Sequence, residues 1–406
     1  MSWQLAAYRG ATRALTPLAA LMLRRRLARG KEDPARWREK LGQASLPRPE
    51  GRLIWLHAVG LGEVLALRGL IAALAEQAPD LSFLVTSSAR SSAQVMEANL
   101  PPRTQHQFLP LDAPRFLRRF LNHWRPDLSI WAEQDLWPGA VAAADAAGVP
   151  LALVNARMNA ESFARRARAR GLYADLLARF RLVAAQDAET ARHLAALGAP
   201  SPQVTGSLKA AAPPLAVDDA RLADLRAQLA GRKLWLVASA HFEETALALD
   251  LPPEDRLLVI VPRDVAYGPG IAERARGLGR KATLQSAGEP PSGEVHIADA
   301  YGELGLWYRL APVALIGGSF GPVQGHNPWE AAALGCAVLH GACTANFAAD
   351  YATLDAAEAA LLVRKADLPA AVAADHSAMA ARAKALSDAA QGSLAPLARA
   401  LLGLLG

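Results

Sequence analysis

Short apolar runs recur along the chain, each followed by a turn and an Ala-, Leu- or Arg-rich stretch. In the first half they are Leu53–Val59, Leu81–Thr86, Leu128–Ala132, Leu151–Asn155 and Leu182–Ala185. Apolar runs this short, bounded by turn residues, read as strands buried on both faces. Gly60-Leu61-Gly62-Glu63 reads as a tight turn into a helix over Val64–Gln77, and Ser87 and Ser88 can cap the helix after the second strand. The stretch Ala210–Ala212 followed by Pro213 and Pro214 then interrupts the pattern and reads as a linker. Beyond it the pattern restarts with Leu234–Ser239, Leu257–Val261, Val295–Ile297, Val313–Ile316 and Ala337–Leu339. Strand–helix alternation in two halves predicts two α/β lobes, each a mostly parallel sheet covered on both faces, with a cleft between them. A chain of 406 residues is long enough to bury two such cores. Ligands of open α/β sheets collect at the carboxyl ends of strands. The turns that matter therefore follow Val59, Ala132, Asn155, Ser239, Val261 and Ile316.

Charge changes this picture in one respect. Residues 1–200 hold 27 Lys and Arg against 17 Asp and Glu, whereas residues 201–406 hold 17 against 21. A basic first half suits an anionic partner: acidic lipid, an acidic substrate or nucleic acid. Near the N-terminus, Leu15–Leu23 is apolar and flanked by Arg9, Arg13, Arg24, Arg25, Arg26 and Arg29. The run is far shorter than the roughly 20 residues that span a bilayer. It also lacks a signal-peptide cleavage pattern. It reads as a helix lying in a membrane interface with its arginines on anionic headgroups, or as an ordinary helix docked on the first lobe. Nucleic acid is disfavoured, because the arginines flank a lipid-like run and no RNA-binding signature occurs. Cys336 and Cys343, the only cysteines, make neither a metal-site spacing nor a disulfide framework.

Several residues at the marked turns can carry chemistry. Glu63 sits where a helix N-terminus holds a carboxylate ionised, which suits a general base or a plain helix-dipole partner. Glu133 and Asp135 stand between Trp131 and Trp137. Acids so enclosed need a partner: a cation, a substrate hydroxyl, or the backbone of the next helix. Gly317-Gly318-Ser319-Phe320 and Gly325-His326-Asn327-Pro328-Trp329-Glu330 make a glycine-rich entry to a helix, a cradle for an anion, with Glu330 placed to accept from ribose hydroxyls. Lys209 and Arg263 lie at strand ends and can neutralise a phosphate or stand as surface cations. His241, met alone, reads as structural. No phosphate-binding P-loop sequence and no metal-ligand constellation is present.

Taken in order, these segments resemble the 3-deoxy-D-manno-octulosonic acid (Kdo) transferases. The resemblance begins at Arg29-Gly30-Lys31-Glu32-Asp33 and Glu39-Lys40-Leu41-Gly42. It runs through Trp55-Leu56-His57-Ala58-Val59, Gly62-Glu63, Pro110-Leu111-Asp112-Ala113-Pro114, Glu133–Pro138 and Asn155-Ala156-Arg157. It continues in Thr205-Gly206-Ser207-Leu208-Lys209, Gly302-Glu303-Leu304 and Gly325-His326-Asn327-Pro328 with Glu330. The chain departs from the family where Gly60 replaces a serine, Asp264 follows Pro262-Arg263 in place of a histidine, and Asp135 replaces a glutamate.

The resemblance implies a GT-B fold of two Rossmann-like α/β lobes. It implies a membrane-associating segment at 1–30, an acceptor-binding lobe with the catalytic base at 31–212, and a CMP-Kdo-binding lobe at 213–406. It implies Glu63 as base, with Glu133 and Lys209 stabilising the transition state. It implies Pro262, Arg263, Tyr301, Gly302, Glu303, Asn327, Pro328, Trp329 and Glu330 as contacts to CMP. The implied reaction is inverting transfer of Kdo from CMP-Kdo to lipid IVA without a metal or other cofactor, at the cytoplasmic face of the inner membrane. The departures leave open a diverged GT-B transferase using another nucleotide sugar. A third reading is a catalytically silent protein that binds the membrane surface.

Overall fold

The computed structural model describes residues 1–406 apart from 60, 89–95, 97–99, 134–135 and 253–254. Gly60, the helix expected after Ser88 and the acid Asp135 thus fall outside the described residues or border them. Two compact units emerge, Met1–Ala212 with Ala390–Gly406, and Pro213–Ala389.

In the first unit the apolar runs form β1 (Leu53–His57), β2 (Ser82–Ser87), β3 (Thr104–Phe108), β4 (Leu128–Ala132), β5 (Leu151–Ala156), β6 (Leu182–Ala185) and β7 (Gln203–Val204). They pair in parallel in the order β3-β2-β1-β4-β5-β6-β7. Alternation divides each strand between two cores. Leu53 and Trp55 of β1 join Leu84, Trp131 and Leu153 on one face. Ile54 and Leu56 join Phe83, Val85, Ile130 and Val154 on the other. Strand β3, Thr-Gln-His-Gln-Phe, escapes the apolar pattern because His106 and Gln107 are buried with hydrogen-bond partners. Trp124 donates to Gln107 (2.8 Å), and the His106 ring bonds Ser87 (2.9 Å).

The second unit repeats the design with β8 (Leu234–Ala240), β9 (Leu257–Pro262), β10 (Ala282–Leu284), β11 (Val295–Ile297), β12 (Val313–Ile316), β13 (Ala337–His340) and β14 (Ala360–Leu362). Their order is β10-β11-β9-β8-β12-β13-β14, again parallel throughout. In each sheet the winding reverses once, at β1/β4 and at β8/β12. Such switch points open a crevice at the carboxyl ends of the strands.

The sequence-based boundary of the second lobe, 213–406, needs correction at its end. Leu394, Leu397, Ala398 and Leu401 are buried in the first unit's core with Leu67, Leu70 and Leu74 of the helix α2 (Leu61–Gln77). Their spacing is one helical face, and each buried leucine favours that docking by roughly 1.5–3 kcal/mol.

The expected N-terminal segment is one helix, α1 (Trp3–Ala28), packed on the first unit. Leu5 and Leu23 are buried, Tyr8 donates to Asp112 (2.7 Å), and the Ser2 amide donates to Asp175. Leu15, Leu18, Leu21 and Met22 remain exposed. Among the described residues no helix is long and apolar enough to cross a membrane.

Candidate functional site

The first unit gathers its chemistry at its switch point. Helix α2 starts at Leu61, earlier than the turn pattern suggests, so Glu63 lies in its first turn. There Glu63 Oε2 accepts the Val59 amide at 3.0 Å, which ties the end of β1 to the helix. Glu133 follows β4 in a left-handed conformation, φ +63°. Its amide still donates to Val154 (3.0 Å), so the strand pairing continues while the side chain is turned out of the sheet. The carboxyl group meets Glu63, with which it shares a hydrogen bond, and Lys209, whose Nζ lies 3.1 Å from Oε1. Lys209 is therefore an enclosed partner of Glu133, not a surface cation. Its side chain is 11% exposed and that of Glu133 13%.

Two carboxyl groups in contact cannot both ionise cheaply. Burial pushes Glu133 up to about 7; Lys209 opposes that rise, and Glu63 adds to it. Asn155 closes the cluster: its Nδ2 lies 3.4 Å from Glu133 Oε1, and its Oδ1 accepts the Leu208 amide at 2.9 Å. Of the arginines at 165–170, Arg165, Arg168 and Arg170 are exposed, whereas Arg166 is buried against Tyr173 and Ser162.

The second unit gathers different chemistry at the equivalent place. Ser239, the next-to-last residue of β8, takes φ +52°, and His241 caps the helix Phe242–Leu249. Across the switch point Gly317 passes so close that a Cβ would lie 2.1 Å from the Ser239 carbonyl oxygen, so only glycine fits. Gly318 and Gly325 take positive φ and fold the loop back, with Gly325 donating to the Gly318 carbonyl at 2.7 Å. This return carries His326 onto His241: the rings stack and their Nε2 atoms are 2.8 Å apart. The pairing, across 85 residues of chain, is invisible to a reading of either histidine alone. Burial, with Arg263 and His241 nearby, lowers His326 to about 4, so its ring is neutral at physiological pH.

Pro262 ends β9, and Arg263 follows it with an exposed side chain. Asp264 accepts the Ala266 amide (3.0 Å), which commits its charge to a local turn. Asn327 accepts the Trp329 amide (3.1 Å) and lies 3.5 Å from Glu330. Pro328 precedes the short helix Trp329–Ala332, and the Trp329 indole donates to buried Asp350 (2.8 Å). Burial pushes Glu330 up to about 7, with Asn327 and Arg263 pulling the other way. Tyr301 is 83% exposed, Gly302 takes φ +87°, and neither bonds to this cluster. Glu303 has one buried carboxyl oxygen with no hydrogen-bond partner among the described residues. Among those residues no group of three or more His, Cys, Asp or Glu is arranged to hold a metal ion.

A family model described as 3-deoxy-D-manno-octulosonic-acid transferase matches residues 35–212. The probable mitochondrial 3-deoxy-D-manno-octulosonic acid transferase of Arabidopsis thaliana is 37% identical, over 84% of this chain and 80% of that protein. The 3-deoxy-D-manno-octulosonic acid transferase of Bordetella pertussis is 33% identical, over 95% of this chain and 94% of that one. The chain belongs to the Kdo transferase family. It is thus an enzyme, a glycosyltransferase, and not a silent binding protein. Solved structures agree at the level of fold. A UDP-GlcNAc 2-epimerase from Neisseria meningitidis matches with TM-score 0.56 at 15% identity, over 87% of this chain and 99% of that one. A glycosyltransferase from Rickettsia africae matches with TM-score 0.53 at 11% identity, over 88% and 98%. Both likenesses fit the GT-B architecture of two parallel-sheet units.

Proposed function

We propose that this family member transfers Kdo from CMP-Kdo to a sugar hydroxyl of lipid IVA with inversion. The observation that carries the reading is the Glu63–Glu133–Lys209 cluster at the first unit's switch point in a chain of this family. Glu63 takes the proton of the acceptor hydroxyl as its oxygen forms a bond to the anomeric carbon. On the opposite face the bond to the CMP phosphate breaks, and its electron pair leaves with the phosphate. Glu133 and Lys209 balance charge as the sugar becomes oxocarbenium-like.

The donor belongs to the second unit. Arg263 and the His241–His326 pair supply cationic and imidazole groups for a monophosphate, and Glu330 and Asn327 supply acceptors and a donor for the ribose. Pro262, Tyr301, Gly302, Glu303, Pro328 and Trp329 complete the proposed CMP contacts. No metal or other cofactor enters this scheme.

The N-terminal helix fits the membrane role. Its exposed Leu15, Leu18, Leu21 and Met22 lie near Arg13, Arg24 and Arg25, a combination suited to anionic headgroups at the cytoplasmic face of an inner membrane. The decisive experiment supplies CMP-Kdo carrying labelled Kdo and lipid IVA to the purified protein. Labelled lipid with inverted anomeric configuration is expected; no labelled lipid, or a retained configuration, refutes the scheme. Flotation with anionic and neutral vesicles tests the membrane role, and equal recovery with both would rule out headgroup recognition.

A further inference from the structure

Three unusual features converge on Asn155. Its backbone is left-handed, φ +53°, a conformation that is costly for most residues but one that asparagine adopts most readily after glycine. The register between β5 and β6 shifts between Leu153 and Ala156, an irregularity of the kind that redirects a side chain. The side chain itself is polar and 1% exposed. A buried amide in a strained position persists when the surrounding bonds fix it.

Those bonds run in three directions. The Asn155 carbonyl accepts Gln186 Nε2 (3.0 Å), which fixes the bulge to the end of β6. Oδ1 accepts the Leu208 amide (2.9 Å), the residue immediately before Lys209. Nδ2 points at Glu133 Oε1 (3.4 Å), the same oxygen that Lys209 approaches at 3.1 Å. One side chain thus holds the backbone that carries the lysine and the carboxylate that the lysine meets. Glu133 and Lys209 come from segments far apart in sequence, and this is a direct bridge between them.

We infer that Asn155 is a positioning residue: it sets the Glu133–Lys209 pair in register at the bulged end of β5, without itself touching substrate. The inference rests on the Kdo-transfer reading for its kinetic consequence but not for its geometry. The groups facing Glu133 are Glu63 from α2, Lys209 from the segment after β7, and Arg157, Arg166 and Tyr173 across a small void of about 10 Å³.

Two variants separate positioning from mere structure. Asn155→Gly suits the left-handed backbone and removes the bridge. Asn155→Asp keeps the shape but sets a second acceptor and a charge against Glu133. Both full-length variants are followed by thermal melting, by transfer kinetics and by carbon-13 titration of the Glu133 carboxyl group, which needs no substrate. In Asn155→Gly, kcat for Kdo transfer should fall roughly 10- to 100-fold, while KM for CMP-Kdo stays unchanged. In Asn155→Asp the Glu133 titration and the acidic limb of the rate profile should both move to higher pH, because an added negative charge favours the protonated acid. A wild-type Glu133 titration in both variants, with wild-type kcat per folded molecule, overturns the inference even if melting temperatures drop. If Asn155→Gly fails to fold, Asn155→Asp decides alone. If the wild-type protein transfers no Kdo, the functional reading fails, and the carboxyl titration still judges the bridge.

Discussion

The two units are built on the same plan and use it differently. Each is a seven-stranded parallel sheet with one switch point, and each places ionisable groups at the carboxyl ends flanking it. In the first unit those groups are already bonded to one another: acid to acid, acid to lysine, and an amide to the acid and to the backbone that carries the lysine. In the second they remain spread out, with Arg263 exposed and the imidazole pair at the edge of a glycine-rich loop. A pre-assembled, enclosed cluster suits moving a proton, since its dipoles need no reorganisation at the moment of reaction. An open array of donors suits an incoming nucleotide, which brings its own charge.

That contrast can be broken most sharply at Glu63. Glu63→Gln keeps size and removes basicity, so Kdo transfer should fall roughly 10²–10⁴-fold while CMP affinity is unchanged. Near wild-type turnover by folded Glu63→Gln protein would remove the base from the first unit. Lys209→Met should come next, lowering kcat about 10²–10³-fold. It should also move the Glu133 carboxyl titration to higher pH, because the nearby cation that favours the ionised form is lost. An unchanged titration would show the pair to be dispensable.

The second unit should respond in binding and not in turnover. Arg263→Ala should weaken CMP about 10- to 100-fold by calorimetry, with the melting temperature unchanged because the side chain is exposed. Equal CMP affinity in the variant would place the phosphate elsewhere. The smallest effect is a pH-dependent one. Burial holds Glu330 at about 7 against an ordinary 4.5, so the native chain binds that proton more tightly than the unfolded chain. Its stabilising contribution is therefore complete below about 4.5 and is lost as pH rises to about 7. Glu330→Gln should raise the melting temperature by a few degrees at pH 8 and leave it nearly unchanged at about pH 4. The same difference at both values would contradict a buried, proton-holding carboxyl group.

Much of this architecture was legible in the chain. Leu128–Ala132, Leu182–Ala185, Val295–Ile297 and Val313–Ile316 are strands over the ranges their apolar runs mark out. These strands are buried on both faces and apolar at all positions but Ser129 and His296, so they announce themselves. Strand β3 did not, because Gln105, His106 and Gln107 read as loop until Trp124 and Ser87 are placed beside them. Glu63, Glu133 and Lys209 stood out through turn position and family resemblance, but the contact of Glu133 with both others could not be read from spacing. Asn155 was only a letter in a motif, and His241 appeared to be a lone histidine.

The sequence by itself determined where the apolar strands and the turns after them fall, because burial and backbone conformation are local demands that each residue type meets or fails. It also determined which turns carry ionisable groups. Only the tertiary structure decided that the last helix covers the first sheet, that His326 returns onto His241, and that Asn155 joins Glu133 to the Lys209 segment. Those pairings depend on loops that close over long stretches of chain, and nothing in a local pattern specifies which distant groups a shared switch point brings within bonding distance.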